Sequence, residues 1–192
     1  MGTPGFCDSR GLLFWADGMA GILPSNRLIF VSKAKQEAIK NWEEGVSLQR
    51  DSGLTITQLR LIVAADRWQL ASRHKSHADR LMKLTPAPYR TIISRYYYAL
   101  YHAMRAAAFI FHAGDDYEEH SKLPSYIPDD FPSKSLWQTT LKDARLLRNR
   151  ADYDPYPKSE QSWAKRAANI GNDAKNALHA ARAYLRQKGC HL

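Results

Sequence analysis

The chain has 192 residues, 44% of them hydrophobic, which suits one domain with an appendage and excludes a disordered chain. Its formal net charge of +9 biases non-specific partners toward polyanions (RNA, DNA or an acidic protein surface) unless the lysines and arginines are simply solvated. Two cysteines near opposite ends, Cys7 and Cys190, offer no disulfide framework and fit a reducing, cytoplasmic setting.

Residues 1–30 mix Gly, Pro and aromatics without a sustained period, apart from a short strand expected at 28–31. The apolar run at 11–23 contains Asp17 and three glycines and is too short to span a bilayer, so it reads as a leader or an arm packed on the domain. No membrane partner is expected. Ser32 is placed to cap a helix over 33–44, with Ala34, Ala38, Ile39 and Trp42 on one side and Gly45 at its end. Ser52 and Gly53 close this N-terminal arm, residues 1–53, and the domain follows at 54–192.

The first long helix is expected over 57–84, with Leu59, Val63, Leu70, Ala71, Ala78, Leu81 and Leu84 near the helical period. Arg67 and His74 interrupt that stripe and read as side chains at the edge of the core, whereas Arg73, His77 and Arg80 lie on an outer face. Thr85 and Pro86 are set to cap and start the next helix, which Gly114 ends. Tyr97, Leu100, Met104, Ala107, Ala108 and Phe111 share its core side, and Ser94, Tyr98, His102 and Arg105 share a polar face. Tyr96, Tyr97, Tyr98 and Tyr101 read as core or subunit interface, with base stacking by an exposed member as the alternative.

From 115 to 132 the chain is acidic and proline-bearing, a long loop with one turn near 120–126. Ser133 is placed to cap a helix over 134–153, which Pro155 and Pro157 terminate. Leu141, Ala144, Leu147 and Ala151 form its apolar line, and Arg145, Arg148 and Asp152 a polar one. Ser159 opens the last helix, where Trp163, Ala167, Ile170, Ala174, Ala177, Ala181 and Tyr184 alternate by four and three, the spacing of a close packing seam. The fold expected is all-α: an antiparallel bundle of four to five helices with an extra N-terminal helix. Between 134 and 188 there are twelve Lys or Arg against five Asp or Glu, so much of the basic excess sits on the last two helices. Neither a Gly-rich phosphate loop nor metal-ligand spacing on one helix occurs, and no cofactor or metal is expected.

The run S-R-x-Y-Y-A-x-x-H at 94–102, paired with L-R-N-x-A-D-Y at 147–153, resembles the HEPN superfamily, specifically its branch of small bacterial proteins with an R-x-x-A-D-Y signature. The resemblance covers residues 57–188 and implies a bacterial toxin-antitoxin or phage-defence setting. It further implies a homodimer and RNA or a nucleotide as ligand. Relatives have a short helix beginning with a His in the loop, and His120 with Ser121 is similar to it. An antitoxin is one implied partner. Another is a nucleotidyltransferase that modifies a tyrosine near the motif, here Tyr153 or Tyr156.

Many HEPN proteins carry an Arg followed a few residues later by a His and cleave RNA without metal. That chemistry needs a group to move the 2′-hydroxyl proton and a cation for the charge gathering on the phosphoryl oxygens. Arg148 and Asn149 match the motif, but Tyr153 stands where the His is expected. A phenol with an ordinary pKa of about 10 is a poor base at pH 7. His102 is the alternative base. The candidate catalytic set is therefore Arg148, Asn149, Tyr153 and His102, and the candidate binding set Arg95, Arg105, Arg145 and Asp152. Enzymatic activity stays open. So do two readings without chemistry: an ion-pair network of Arg95, Arg145, Arg148 and Asp152 that fixes helix ends, and a non-catalytic interaction or assembly module.

Overall fold

The computed structural model describes residues 25–114 and 119–192, so Cys7 and the apolar run at 11–23 lie outside the described residues. Six α-helices occur among these residues: α1 (Ser25–Ser32), α2 (Gln36–Ser52), α3 (Ile56–Leu81), α4 (Tyr89–Phe111), α5 (Lys134–Tyr153) and α6 (Ala164–Gln187). They contain no strand, and none of these helices is long and apolar enough to cross a membrane. The chain divides between Asp51 and Ser52 into two units.

In the first unit the strand expected at 28–31 is instead part of α1. A lone strand there would need a neighbour for its backbone groups, whereas a helix satisfies them internally, as in the bond from Lys33 N–H to the Ile29 carbonyl. Ser32 is the last residue of α1, and its hydroxyl donates back to the Ile29 carbonyl at 2.9 Å rather than capping the next helix. The expected stop at Gly45 also fails, because α2 runs through it to Ser52. A Cβ at Gly45 would meet nothing within 4 Å, so the glycine costs only its propensity penalty of about 1 kcal/mol.

The second unit begins with a reciprocal cap on α3: Gln58 N–H donates to Thr55 Oγ1, and Thr55 N–H donates to Gln58 Oε1. Ala71 and Ala78 are buried on α3 as expected, but their buried companions are Ala64 and Ala65 and not the larger residues of the expected stripe; Val63 and Leu84 are exposed. Three of these alanines repeat every seven residues, which lets α4 approach closely along the whole helix. Pro88 explains why α4 starts at Tyr89 rather than beside Thr85, since a proline disfavours helical backbone in the residue before it.

Helix α4 is the central element, packed against α3, α5 and α6. Thirteen of its residues are buried, including Tyr96, Tyr97, Leu100, Tyr101 and Met104, while Phe111 at its end is exposed rather than core. All seven residues of the seam expected on α6, from Trp163 to Tyr184, are buried. The loop before α5 packs inward through Leu123, Ile127 and Phe131, with a 3-10 turn at Leu123–Tyr126. It is tied to α6 by Asp130, which accepts from the Tyr184 hydroxyl at 2.7 Å and pairs with Lys188 at 2.6 Å. Ser133 holds the position before α5, but with left-handed backbone and no side-chain cap.

Candidate functional site

One seam of the bundle is polar, and it lies where α4 meets α5. Helical spacing places Ser94, Tyr98, His102 and Arg105 along one side of α4, and Arg145, Arg148 and Asp152 along one side of α5. Arg148 is the hub. Its Nη2 donates to the Tyr98 hydroxyl at 3.1 Å and its Nη1 to Asn149 Oδ1 at 3.2 Å. Its Nε lies 2.6 Å from Asp152 Oδ2, as an ion pair and not an aligned hydrogen bond. Ser94 Oγ donates to the other Asp152 oxygen at 2.5 Å. A guanidinium has five N–H donors, so these partners fix the plane of Arg148 and leave N–H groups for an anion.

Behind Arg148 is a stack of rings. His74, on α3, stacks on His102 with centroids 5.4 Å apart and on Tyr98 at 5.5 Å. His120, from the loop, stacks on Tyr101 at 4.0 Å, and its Nδ1 shares a 2.6 Å hydrogen bond with the Tyr97 hydroxyl. Arg105 sits over the Tyr101 ring at 5.4 Å, and Arg67 over Phe109 at 4.9 Å. Arg67 and His74 thus do pack at the core edge, but His74 is also a member of this stack.

All three imidazoles are held below the usual histidine range. Burial is the main cause for His102, pushed down to about 4, and His74, Arg105, Arg67 and His120 add to it. Burial also lowers His74, followed by Arg95, and lowers His120, followed by Arg148, Arg105 and Arg145. These rings are neutral at pH 7 and sit in a positive field to which Arg67, Arg73, Arg95, Arg105, Arg145 and Arg148 contribute. Tyr97 is pushed up by burial and by Tyr101, so its phenol stays protonated.

The expected residues are therefore brought together unequally. Arg148, Asn149, Asp152 and Tyr98 form one bonded set. Arg145 lies close enough to act on His120 and Tyr97, with no ion-pair partner among the described residues. Arg95 faces His74, and its Nε is buried without a hydrogen-bond partner. His102 is one ring removed from Arg148, reached through Tyr98, and its depressed pKa makes it a weak proton acceptor. Tyr153 lies outside the stack, 72% exposed, with the Arg148 guanidinium 5.6 Å from its ring centre. It does not occupy a buried base position.

Sequence reasoning missed His74 and His120 as parts of this site, and Arg90 altogether. Arg90 Nη1 donates to the carbonyls of Ala151 and Asp154, and its Nη2 to that of Pro157. Nothing local signals these bonds, which span more than sixty residues of sequence. No group of three or more His, Cys, Asp or Glu among the described residues could hold a metal ion. Comparison with family models, curated proteins and solved structures gives no match to the chain.

Proposed function

We propose that this chain is a HEPN-type helical domain of a bacterial toxin-antitoxin or defence system, acting in the cytoplasm as a homodimer, and that it binds RNA or a nucleotide through the α4–α5 seam. The observation that carries this reading is Arg148: an arginine oriented by Tyr98, Asn149 and Asp152, in a field to which Arg95, Arg105 and Arg145 contribute. Oriented guanidinium groups suit phosphate oxygens, which accept from their planar fork of N–H donors.

Cleavage is the less favoured extension. Tyr153 is a solvent-facing phenol, and His102 is a weak base held behind Tyr98. Leu136 and Leu146, exposed on α5, support the second reading, a non-catalytic module that docks a protein partner.

The test is incubation of the purified protein with labelled structured and unstructured RNAs in EDTA, wild type against Arg148→Ala. Binding at low salt that weakens in the variant is the expected result. Metal-independent cleavage that disappears in the variant would add a nuclease with an altered base. No binding by folded protein at low salt overturns the reading and leaves the docking module.

A further inference from the structure

Among the described residues, the tyrosines run from buried through the half-buried Tyr89, Tyr98 and Tyr126 to exposed. Tyr96, Tyr97 and Tyr101 are shut into the core and have no face to offer a ligand, whereas Tyr153 and Tyr156 are 72% and 68% exposed. Tyr153 is the last residue of α5 and Tyr156 lies on the turn that leaves it, and each has a cation against it: Arg148 lies 5.6 Å from the Tyr153 ring centre, and Lys158 Nζ lies 5.7 Å from that of Tyr156.

The turn itself is fixed from inside. The Arg90 guanidinium donates to the carbonyls of Ala151 at 3.0 Å, Asp154 at 2.6 Å and Pro157 at 2.8 Å. It lies over the Trp163 ring at 4.6 Å, and Trp163 Nε1 donates to the same Pro157 carbonyl at 3.2 Å. Glu160 completes the clamp by accepting from the Arg90 backbone N–H at 3.2 Å. Carbonyls at 151, 154 and 157 are thus held inward while the two phenol rings face solvent. Aromatic rings on a fixed turn bind with little loss of conformational freedom.

We propose that Tyr153 and Tyr156, at the end of α5 and on the turn clamped by Arg90, are stacking platforms for unpaired bases of single-stranded RNA whose phosphates lie along the arginine face. This rests on the reading of that face as an RNA site and names its substrate class. A duplex covers its base faces by internal stacking, so exposed rings reward a single strand. Two rings three residues apart, one beside Arg148 and the other beside Lys158, serve a strand better than a mononucleotide.

The test is fluorescence anisotropy with a labelled single-stranded RNA, the duplex of the same sequence and the matching DNA strand, using wild type, Tyr153→Ala, Tyr156→Ala and Tyr153→Phe. The single-stranded RNA should bind more tightly than the duplex. Each alanine variant should lose roughly fivefold to 150-fold on the single strand, with the slope of affinity against salt unchanged, because a ring releases no counterions. Tyr153→Phe should keep most of the affinity, since the ring and not the hydroxyl stacks. Circular dichroism confirms that the variants are folded. Equal binding of single strand and duplex, or alanine variants that bind like wild type, overturns the stacking role while leaving the phosphate face standing. Tighter binding of the DNA strand overturns the assignment to RNA. No binding of any of the three overturns both.

Discussion

Helix α4 meets α6 and α5 in two different ways. Toward α6 the junction is dry: the buried line of α6 runs through Ala167, Ala174, Ala177 and Ala181, and Gly171 faces the Tyr96 ring. Toward α5 the junction is filled by Tyr98, Arg148, Asp152 and Ser94, all tied by hydrogen bonds or an ion pair. Small apolar residues let two helices close up, whereas long polar ones hold them apart and must be satisfied in place. The dry side therefore holds the fold, and the polar side holds oriented groups that water and ligands can reach.

The largest effect on stability should come from the dry core. Leu100→Ala removes a fully buried side chain and should cost about 2–5 kcal/mol in urea unfolding. Gly171→Ala probes the closest approach on that side: a Cβ there would stand 2.9 Å from Tyr96 Cε2, and the ring could yield only by straining its 2.8 Å hydrogen bond to Asp79. Overpacking of about 1–3 kcal/mol, offset by about 1 kcal/mol of helix propensity, leaves a net loss of about 0–2 kcal/mol. On the polar side, Tyr98→Phe keeps the ring stack and deletes one hydrogen bond to the charged, partly exposed Arg148, so about 1.5 kcal/mol, the low end for a bond to a charged group, is expected. A loss as large as that of Leu100→Ala would erase the distinction between the sides.

The imidazole stack gives the polar side a pH signature. The folded state holds His74, His102 and His120 below the ordinary value, so between about pH 6.5 and His102's value of about 4 the unfolded chain binds more protons. Their contribution to stability is complete above pH 6.5 and is lost as pH falls through that window. Melting temperatures from pH 7 to 4 should therefore drop more steeply for wild type than for His102→Gln. Parallel curves would sink the claim. The smallest effect belongs to the outer face of α3, where Arg73→Ala should change stability by no more than about 0.5 kcal/mol, because Arg73 is exposed.

Helix α5 spans 134–153 as its sequence predicts, because the two prolines behind it leave no latitude. The α6 seam was legible for a related reason: a mixed Trp, Ala, Ile and Tyr line at four-three spacing has one way to face inward. On α3 the large residues misled, since alanine signals burial weakly in a sequence and strongly in a close-packed pair of helices. The site was legible only along each helix. Ser94, Tyr98, Arg148 and Asp152 could be placed on faces by spacing, but His120 sits in a loop with no period, and the Arg90 clamp closes only when the turn after α5 folds back onto α4.

Whether arginines on the α4–α5 seam meet phosphates is read from the affinity for a labelled single-stranded RNA as salt is raised, for wild type, Arg145→Ala and Arg148→Ala. Removing one phosphate-binding arginine should flatten the plot of log affinity against log salt by about 0.7. Slopes unchanged in both variants, or no RNA bound by folded wild type at low salt, would contradict that contact.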